Sequence, residues 1–460
     1  MRKSLYWAFS ASLSRKRLFL ILVILGFGLR IGYGVVRYRD SLSRLTGRSF
    51  VESWDHDALD HFLISKALLS GKGYVMDDVP LPPGKHLRYV GQEALFKAPL
   101  YEFFLAGVFA ISGFSFKLFF PLQALLGGLL AGFIGLITRR VFRSPTAAWF
   151  GGVAAAAHPI LVNSASQPYN ENLFFVLFAA SILAFLIWFE RHQRRWAFLC
   201  GVLVGLCILT RESGTLLLAA MAVVVLTVAP RALSAWMEYG VIMLAAVAVV
   251  APWTIRNYVR FGVFVPVSSI VGVDFTEGNN ECIAEEGIFT PYWAEGPCPW
   301  VEEQFRAQPE ATASDSRIPP AVLRDRASRR IAVQFVSEHP GVYVKLALRR
   351  LWTTLLPYDP RGSQRFHERV VLLAYWLLLF PAGISGMLLG LKHMEPRRLL
   401  LGSLIILNLM SIMAVLYWSD LRLRVGIDLL LGCFGGWAYD EFLRRRTQAL
   451  ESQPGGVRSA

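Results

Sequence analysis

An all-α polytopic membrane bundle of about ten transmembrane helices, with interfacial helices and a small external loop domain, is the fold this sequence predicts. Three observations predict it. Hydrophobic residues make up 54% of the 460, above the roughly 45–50% of ordinary globular chains even with glycine counted. Charged residues fall to 17%, and the mean hydropathy is +0.44. The apolar residues gather in runs long enough to cross a bilayer. The 47 basic and 33 acidic residues leave a net charge of +14, which on a soluble chain would suggest nucleic acid. Here the charges punctuate the apolar runs instead of lining one face, so no nucleic-acid partner is expected. A disordered chain, a secreted disulfide scaffold and a cytosolic enzyme are excluded by the same composition.

Residues 1–17 carry Arg2, Lys3, Arg15, Lys16 and Arg17 without an acid, and the apolar run 18–36 follows. No small-residue cleavage site comes after it, so it is expected as an uncleaved first span with a cytoplasmic N-terminus. Further runs of spanning length are 117–138, 147–162, 173–189, 196–210, 214–229, 236–252, 370–391, 399–418 and 425–442. Alternation from a cytoplasmic N-terminus places the basic clusters at Arg139, Arg140 and Arg143, at Arg191, Arg194 and Arg195, at Arg231, at Lys392, Arg397 and Arg398, and at Arg444 to Arg446 on one side. The segment 99–111 is too short to span, opens on Pro99 and contains Glu102, so it is expected to lie along the outer interface. The implied organisation is a transmembrane core over 18–253 that includes an external loop at 37–116, an external loop domain at 254–368, further transmembrane helices at 369–446 and a cytoplasmic tail at 447–460.

Cys200, Cys207 and Cys433 fall inside spans, as packing residues do. Cys282 and Cys298 share the long external loop and form a candidate disulfide on an oxidising face. Such a bond would be worth about 3 kcal/mol in the loop-entropy model. No cysteine and histidine spacing suggests zinc.

Trp54-Asp55-His56-Asp57 lies just outside the first span and leads into a helical run ended by Gly71 and Gly73. Asp57 is either an N-cap with Asp55 and His56 solvated beside it, or a carboxylate held at the membrane surface to take a proton from a hydroxyl. Glu171, in Gln167-Pro168-Tyr169-Asn170-Glu171-Asn172, either caps the next helix or contacts substrate. Lys97, Arg211, Arg256, Arg422 and Arg424 fall on the same outer side, against the positive-inside tendency. They are either interfacial ion pairs, Arg211 with Glu212 and Arg422 with Asp420, or a set converging on an anion at the bilayer surface. No phosphate loop for a nucleotide is present, so an activated sugar would have to arrive on a lipid.

Several motifs stand in one order: "DALDHFLISKALLSGKGY", "KAPLYEFFLAGVFAISG", "HPILVNSASQPYNENLFF", "GVLVGLCILTRESGTLLL", "APWTIRNYVRFGVFVPVS" followed by "GNN", "EHPGVYVKLALRRL" and "DLRLRVGIDLLL". In these the chain resembles the integral-membrane glycosyltransferases of the C superfamily (GT-C), in the bacterial branch related to protein O-mannosyltransferases and the lipid A aminoarabinose transferase, glycosyltransferase family 39-like. The resemblance implies that Asp57, with Asp55 as neighbouring candidate, is the catalytic base and that Glu171 is the second acid. It also implies that Lys97 contacts the donor phosphate, with Arg256, Arg211, Arg422 and Arg424 as further candidates. The chain departs from the pattern at His61, where the family often has an aromatic residue, and at Phe96, where an acid can precede the lysine, leaving Glu93 as a substitute. Some members of the superfamily need a divalent metal; no cofactor is certain here, and the candidate ligands are Asp55, Asp57 and Glu171.

The expected function is transfer of a sugar from a polyprenyl-phosphate carrier to a hydroxyl acceptor of the cell envelope, at the periplasmic face of the inner membrane and with inversion. The alternatives are a transporter of lipid-linked sugars, which would carry broken helices or charges at the bilayer midplane, and an O-antigen ligase or polymerase.

Overall fold

The computed structural model describes residues 14–37, 56–78, 90–286, 298–312, 317–358, 364–392, 395–414 and 421–451. Asp55 lies outside the described residues, as does Asp420. Among those described there is no β-strand, only isolated bridges pairing Val75 with Glu93 and Met76 with Val90.

The helices, in chain order, are α1 (Arg15–Arg37), α2 (His56–Leu69), α3 (Pro99–Ser112), α4 (Phe116–Phe142), α5 (Pro145–Ala156), α6 (Pro159–Ser164), α7 (Glu171–Arg191), α8 (Arg194–Thr210), α9 (Thr215–Val228) and α10 (Leu233–Phe261). They continue as α11 (Val271–Gly278), α12 (Glu281–Glu286), α13 (Pro299–Arg306), α14 (Pro320–Glu338), α15 (Pro340–Leu355), α16 (Phe366–Leu391), α17 (Pro396–Ala414) and α18 (Leu421–Glu451). Each of the ten expected spans holds helix. Six of them, α1, α4, α7, α10, α16 and α17, are long and apolar enough to cross a membrane by themselves. The protein is a multi-pass, all-α membrane protein.

Local chemistry sets the helix ends. Ser144 accepts a hydrogen bond from the Ala147 amide at 3.0 Å and caps α5, with Pro145 in the first helical position. The run 147–162, expected as one span, is two helices, because Pro159 has no amide proton and disfavours helical backbone at His158. The long helix α10 passes through Trp253 and continues to Phe261, so the boundary expected at 253/254 falls inside a helix that ends at the left-handed Gly262. Helix α3 has 14 residues, about 21 Å of rise against the ~30 Å hydrocarbon core.

Helices of the core approach closely where glycine permits. A side chain at Gly128 of α4 would meet the Val23 carbonyl of α1 at 2.5 Å, and one at Gly205 of α8 would meet the Ala246 carbonyl of α10 at 2.8 Å. Lipid tails offer no hydrophobic drive for helix association, so close backbone contact through small residues supplies it.

The bundle has two chemically distinct ends. Helix α7 has 21 residues, so its termini lie about 30 Å apart. At its C-terminal end Glu190 pairs with Arg140 and lies 3.5 Å from Arg397; at its N-terminal end stands Glu171. Aromatic side chains of α2, α3 and α4, among them Phe62, Phe109, Phe116 and Phe119, pack with Tyr169 and hold the short α2 and α3 against that second end. Helices α11, α14 and α15 pack together over it: Gly272 of α11 donates to Asp325 Oδ1 of α14 at 2.6 Å, and the buried Arg350 of α15 donates to the Gly278 carbonyl at 3.0 Å. Cys282 and Cys298 form a disulfide with Cα atoms 6.1 Å apart, tying α12 to α13.

Candidate functional site

Between the N-terminal ends of α7 and α18, the helix α2 and α11 lies a cavity of about 190 Å³. Asp57 enters it from the first turn of α2. Its Oδ1 receives Lys97 Nζ at 2.8 Å and its Oδ2 receives Arg422 at 3.1 Å. Arg422 also reaches Glu171 Oε1 at 3.7 Å, and Arg211 reaches the same oxygen at 3.5 Å. The Arg422 guanidinium lies over the Tyr169 ring, 5.1 Å from its centroid. Two carboxylates and three cations thus form one continuous chain.

Burial alone would raise the Asp57 pKa, but Lys97 and Arg422 override it and hold the carboxyl well below its ordinary range. Asp60, one turn along α2 and 3.5 Å from Lys97, goes the other way: burial, with Asp57 close by, lifts it to about 6. Lys97 would be lowered by burial, yet the two aspartates between them raise it above its usual value. On the facing wall Glu212 and Asp274 line the cavity, and burial together with Glu277 and Glu212 raises Asp274 well above the carboxylate range.

Arg211, Glu212, Ile270, Asp274, Arg422 and Leu423 also border a second chamber of about 280 Å³. Phe174, Phe175 and Phe178 of α7, Leu216 of α9 and Ile412 of α17 make that chamber largely apolar. A charged site thus opens directly into an apolar space between the core helices.

Arg256 and Arg424 do not line the cavity. Arg256 donates to Glu93 Oε2 at 2.9 Å, Arg260 holds the other oxygen of that acid at 2.5 Å, and the Arg256 guanidinium stacks 4.9 Å from Trp253. Glu93, the expected substitute for the missing local acid, is therefore committed to this outer cluster. Arg424 turns inward to Asp428 at 3.0 Å and to the Thr354 carbonyl at 3.1 Å, satisfying the end of α15. Residues two apart on a helix point about 200° from each other, so Arg422 and Arg424 cannot face one ligand.

Comparison with known proteins agrees with this architecture. Residues 96–255 match the family described as dolichyl-phosphate-mannose-protein mannosyltransferase. The oligosaccharyltransferase AglB of Archaeoglobus fulgidus, in complex with an inhibitory peptide and a dolichol-phosphate, superposes with a TM-score of 0.54 at 14% identity over 97% of this chain. Its apo form gives 0.53 at 13% identity over 97%. The chain has the GT-C fold. It spans about half of AglB, 52% in both comparisons. ArnT of Cupriavidus metallidurans bound to undecaprenyl phosphate gives a TM-score of 0.39 at 14% identity, covering 93% of this chain and 81% of ArnT. No curated protein sequence matches.

Some GT-C enzymes use a divalent ion, so the donor set matters. Asp57 and Glu171 are bridged by the Arg422 guanidinium, and each has a further cation against it. An ion between them would have to displace Arg422, and no group of three His, Cys, Asp or Glu fit to hold a metal occurs among the described residues. Asp55, the third expected ligand, lies outside the described residues. Within the GT-C core, sequence reasoning passed over Asp60, Asp274 and the pairing of His61 with Glu102. Their sole sequence signal is a charge in a short apolar helix, as with Glu102 in α3.

Proposed function

We propose that this protein is a glycosyltransferase that moves a sugar from a polyprenyl-phosphate carrier to a hydroxyl acceptor at the non-cytosolic face of the membrane. The observation that carries the reading is the sharing of Lys97 and Arg422 between Asp57 and a cavity that opens into an apolar chamber. The chamber suits the first units of a polyprenyl tail, and the cations suit its phosphate.

In the resting site Asp57 is a weak base, because its charge is spent on Lys97 and Arg422. A donor phosphate competes for the same two cations and so raises the proton affinity of Asp57 once it is bound. The acceptor hydroxyl then attacks the anomeric carbon as Asp57 takes its proton, and the bond to the phosphate breaks with its electron pair going to the carrier. Lys97, Arg422 and Arg211 face the oxygen on which charge grows, so they favour the transition state over the ground state. One displacement inverts the anomeric centre.

The test is the full-length protein in host membrane vesicles supplied with 14C-labelled polyprenyl-phosphate sugars. Label appearing in a new product supports transfer; label that changes sides without a new bond supports a transporter instead. Activity is expected to persist in excess EDTA. Mass spectrometry of surface glycans from a deletion strain identifies the acceptor.

A further inference from the structure

Helix α3 is apolar along nearly its whole length, yet Glu102 within it is fully buried. Its Oε1 lies 2.7 Å from His61 Nδ1, and its Oε2 has no hydrogen-bond partner. His61, one turn after Asp57 on α2, is 4% exposed. Burying a carboxylate and an imidazole in this way does not improve packing, since apolar residues of similar size serve a core as well or better. The surroundings are already aromatic: the Tyr101 ring stands edge-on to His61 at 5.0 Å, and Phe62 meets Phe109 at 5.6 Å. The pair calls for a chemical reason.

His61 lines the cavity beside Asp57. A carboxylate only accepts, so Glu102 fixes the His61 proton on Nδ1 and leaves Nε2 with its lone pair for the cavity. Residues four apart on a helix stand about 5–6 Å from each other at Cβ, a gap that one water bridges.

We propose that His61, oriented by Glu102, receives the acceptor's proton from Asp57 and completes a relay out of the reaction site. The inference rests on the glycosyl-transfer reading above. The acceptor O–H bond breaks as its oxygen bonds to the anomeric carbon, and the carbon–oxygen bond to the carrier phosphate breaks with its electrons going to phosphate. The proton passes to Asp57 and on to His61 Nε2, forming an imidazolium against the Glu102 carboxylate. It leaves to water with the product. As the carrier phosphate leaves, Lys97 and Arg422 return to Asp57, which then gives up that proton, whereas the imidazolium has an anion waiting. The groups around His61 are Asp57 and Asp60 on its own helix and Tyr101 and Glu102 on α3, and the charged groups lining the same cavity are Lys97, Glu171, Arg211, Glu212, Asp274 and Arg422.

The experiment measures initial transfer rate against pH in membrane vesicles, with the labelled polyprenyl-phosphate sugar that supports transfer. His61→Phe should lower kcat about 10- to 100-fold with the donor KM unchanged, and should abolish the acidic limb of the profile. Glu102→Gln should also lower kcat, because an amide can donate as well as accept and no longer fixes the proton of His61 on Nδ1. Added imidazole should partly restore His61→Ala, which a purely structural role does not allow. If His61→Phe fails to fold, His61→Gln replaces it in the same measurement. The relay is overturned if the acidic limb survives without His61 and imidazole rescues nothing, while Asp57→Asn is inactive. If Asp57→Asn transfers sugar at the wild-type rate, or no labelled sugar is transferred at all, the glycosyl-transfer reading is what fails.

Discussion

At the scale of single residues, the competition for Lys97 and Arg422 decides the most. Asp57 holds both cations at 2.8 and 3.1 Å, so it and a carrier phosphate bind them at each other's expense. Asp57→Asn is accordingly expected to lose at least about 10²-fold in transfer rate while binding undecaprenyl phosphate about 10-fold more tightly, measured by thermal shift or microscale thermophoresis in detergent. Weaker carrier binding in that variant would show that the aspartate organises the cations instead of competing with the ligand. Asp60 gives the complementary prediction. Its folded pKa of about 6 stands above the 3.8 of an ordinary aspartate, so what this group contributes to stability is present below the lower value and is lost as pH rises through the upper one. Asp60→Asn removes that loss. Its stability relative to wild type, read from the unfolding midpoint, should therefore be higher at pH 8 than at pH 5, by about 1.4 kcal/mol at most.

At the scale of elements, helix crossings rest on glycine. The Val23 carbonyl stands 2.5 Å from where a Gly128 side chain would begin, and the Phe27 amide nitrogen 3.2 Å away. These are backbone atoms, which cannot swing aside. Gly128→Val should lower stability in detergent by about 1–3 kcal/mol, read from the unfolding midpoint. Gly240→Ala on α10, with nothing within 4 Å, should be neutral or slightly stabilising. The same scale shows what was legible in the sequence. Apolar run length located a helix in every expected span, and the shortness of 99–111 is matched by the 14 residues of α3. The break at His158 was also legible, since Pro159 sits inside the apolar run, but hydropathy alone passes over it. The opposed directions of Arg422 and Arg424 follow from helical geometry and needed only to be applied. His61 with Glu102 was beyond reach, because their 41-residue separation closes only through the packing of α2 on α3. So was the commitment of Arg256 to Glu93, 163 residues away, since a list of outward cations does not say which of them already have partners.

At the scale of the whole molecule, the two ends of α7 give the protein its polarity. Glu171 at one end belongs to the carboxylate and guanidinium chain of the cavity, and Glu190 at the other is held by Arg140 and Arg397. The Glu190 end also receives Arg139 and Arg191, so these basic residues gather about 30 Å from the site. On the proposed reading that this basic end faces the cytoplasm, a carrier lipid whose phosphate meets Arg422 is expected in the outer leaflet, with its tail toward the apolar chamber. The native cysteines leave a clean background for testing this: Cys200, Cys207 and Cys433 are buried, and Cys282 and Cys298 are bonded to each other. Gly71, at the exposed end of α2, and His192, at the exposed end of α7, lie on the site side and the basic side. Gly71→Cys should react with a membrane-impermeant maleimide in intact cells, and His192→Cys only after the membrane is opened. Labelling of both positions from the same side would separate Asp57 from the face on which the lipid-linked donor is presented, and the proposed reaction would have no substrate.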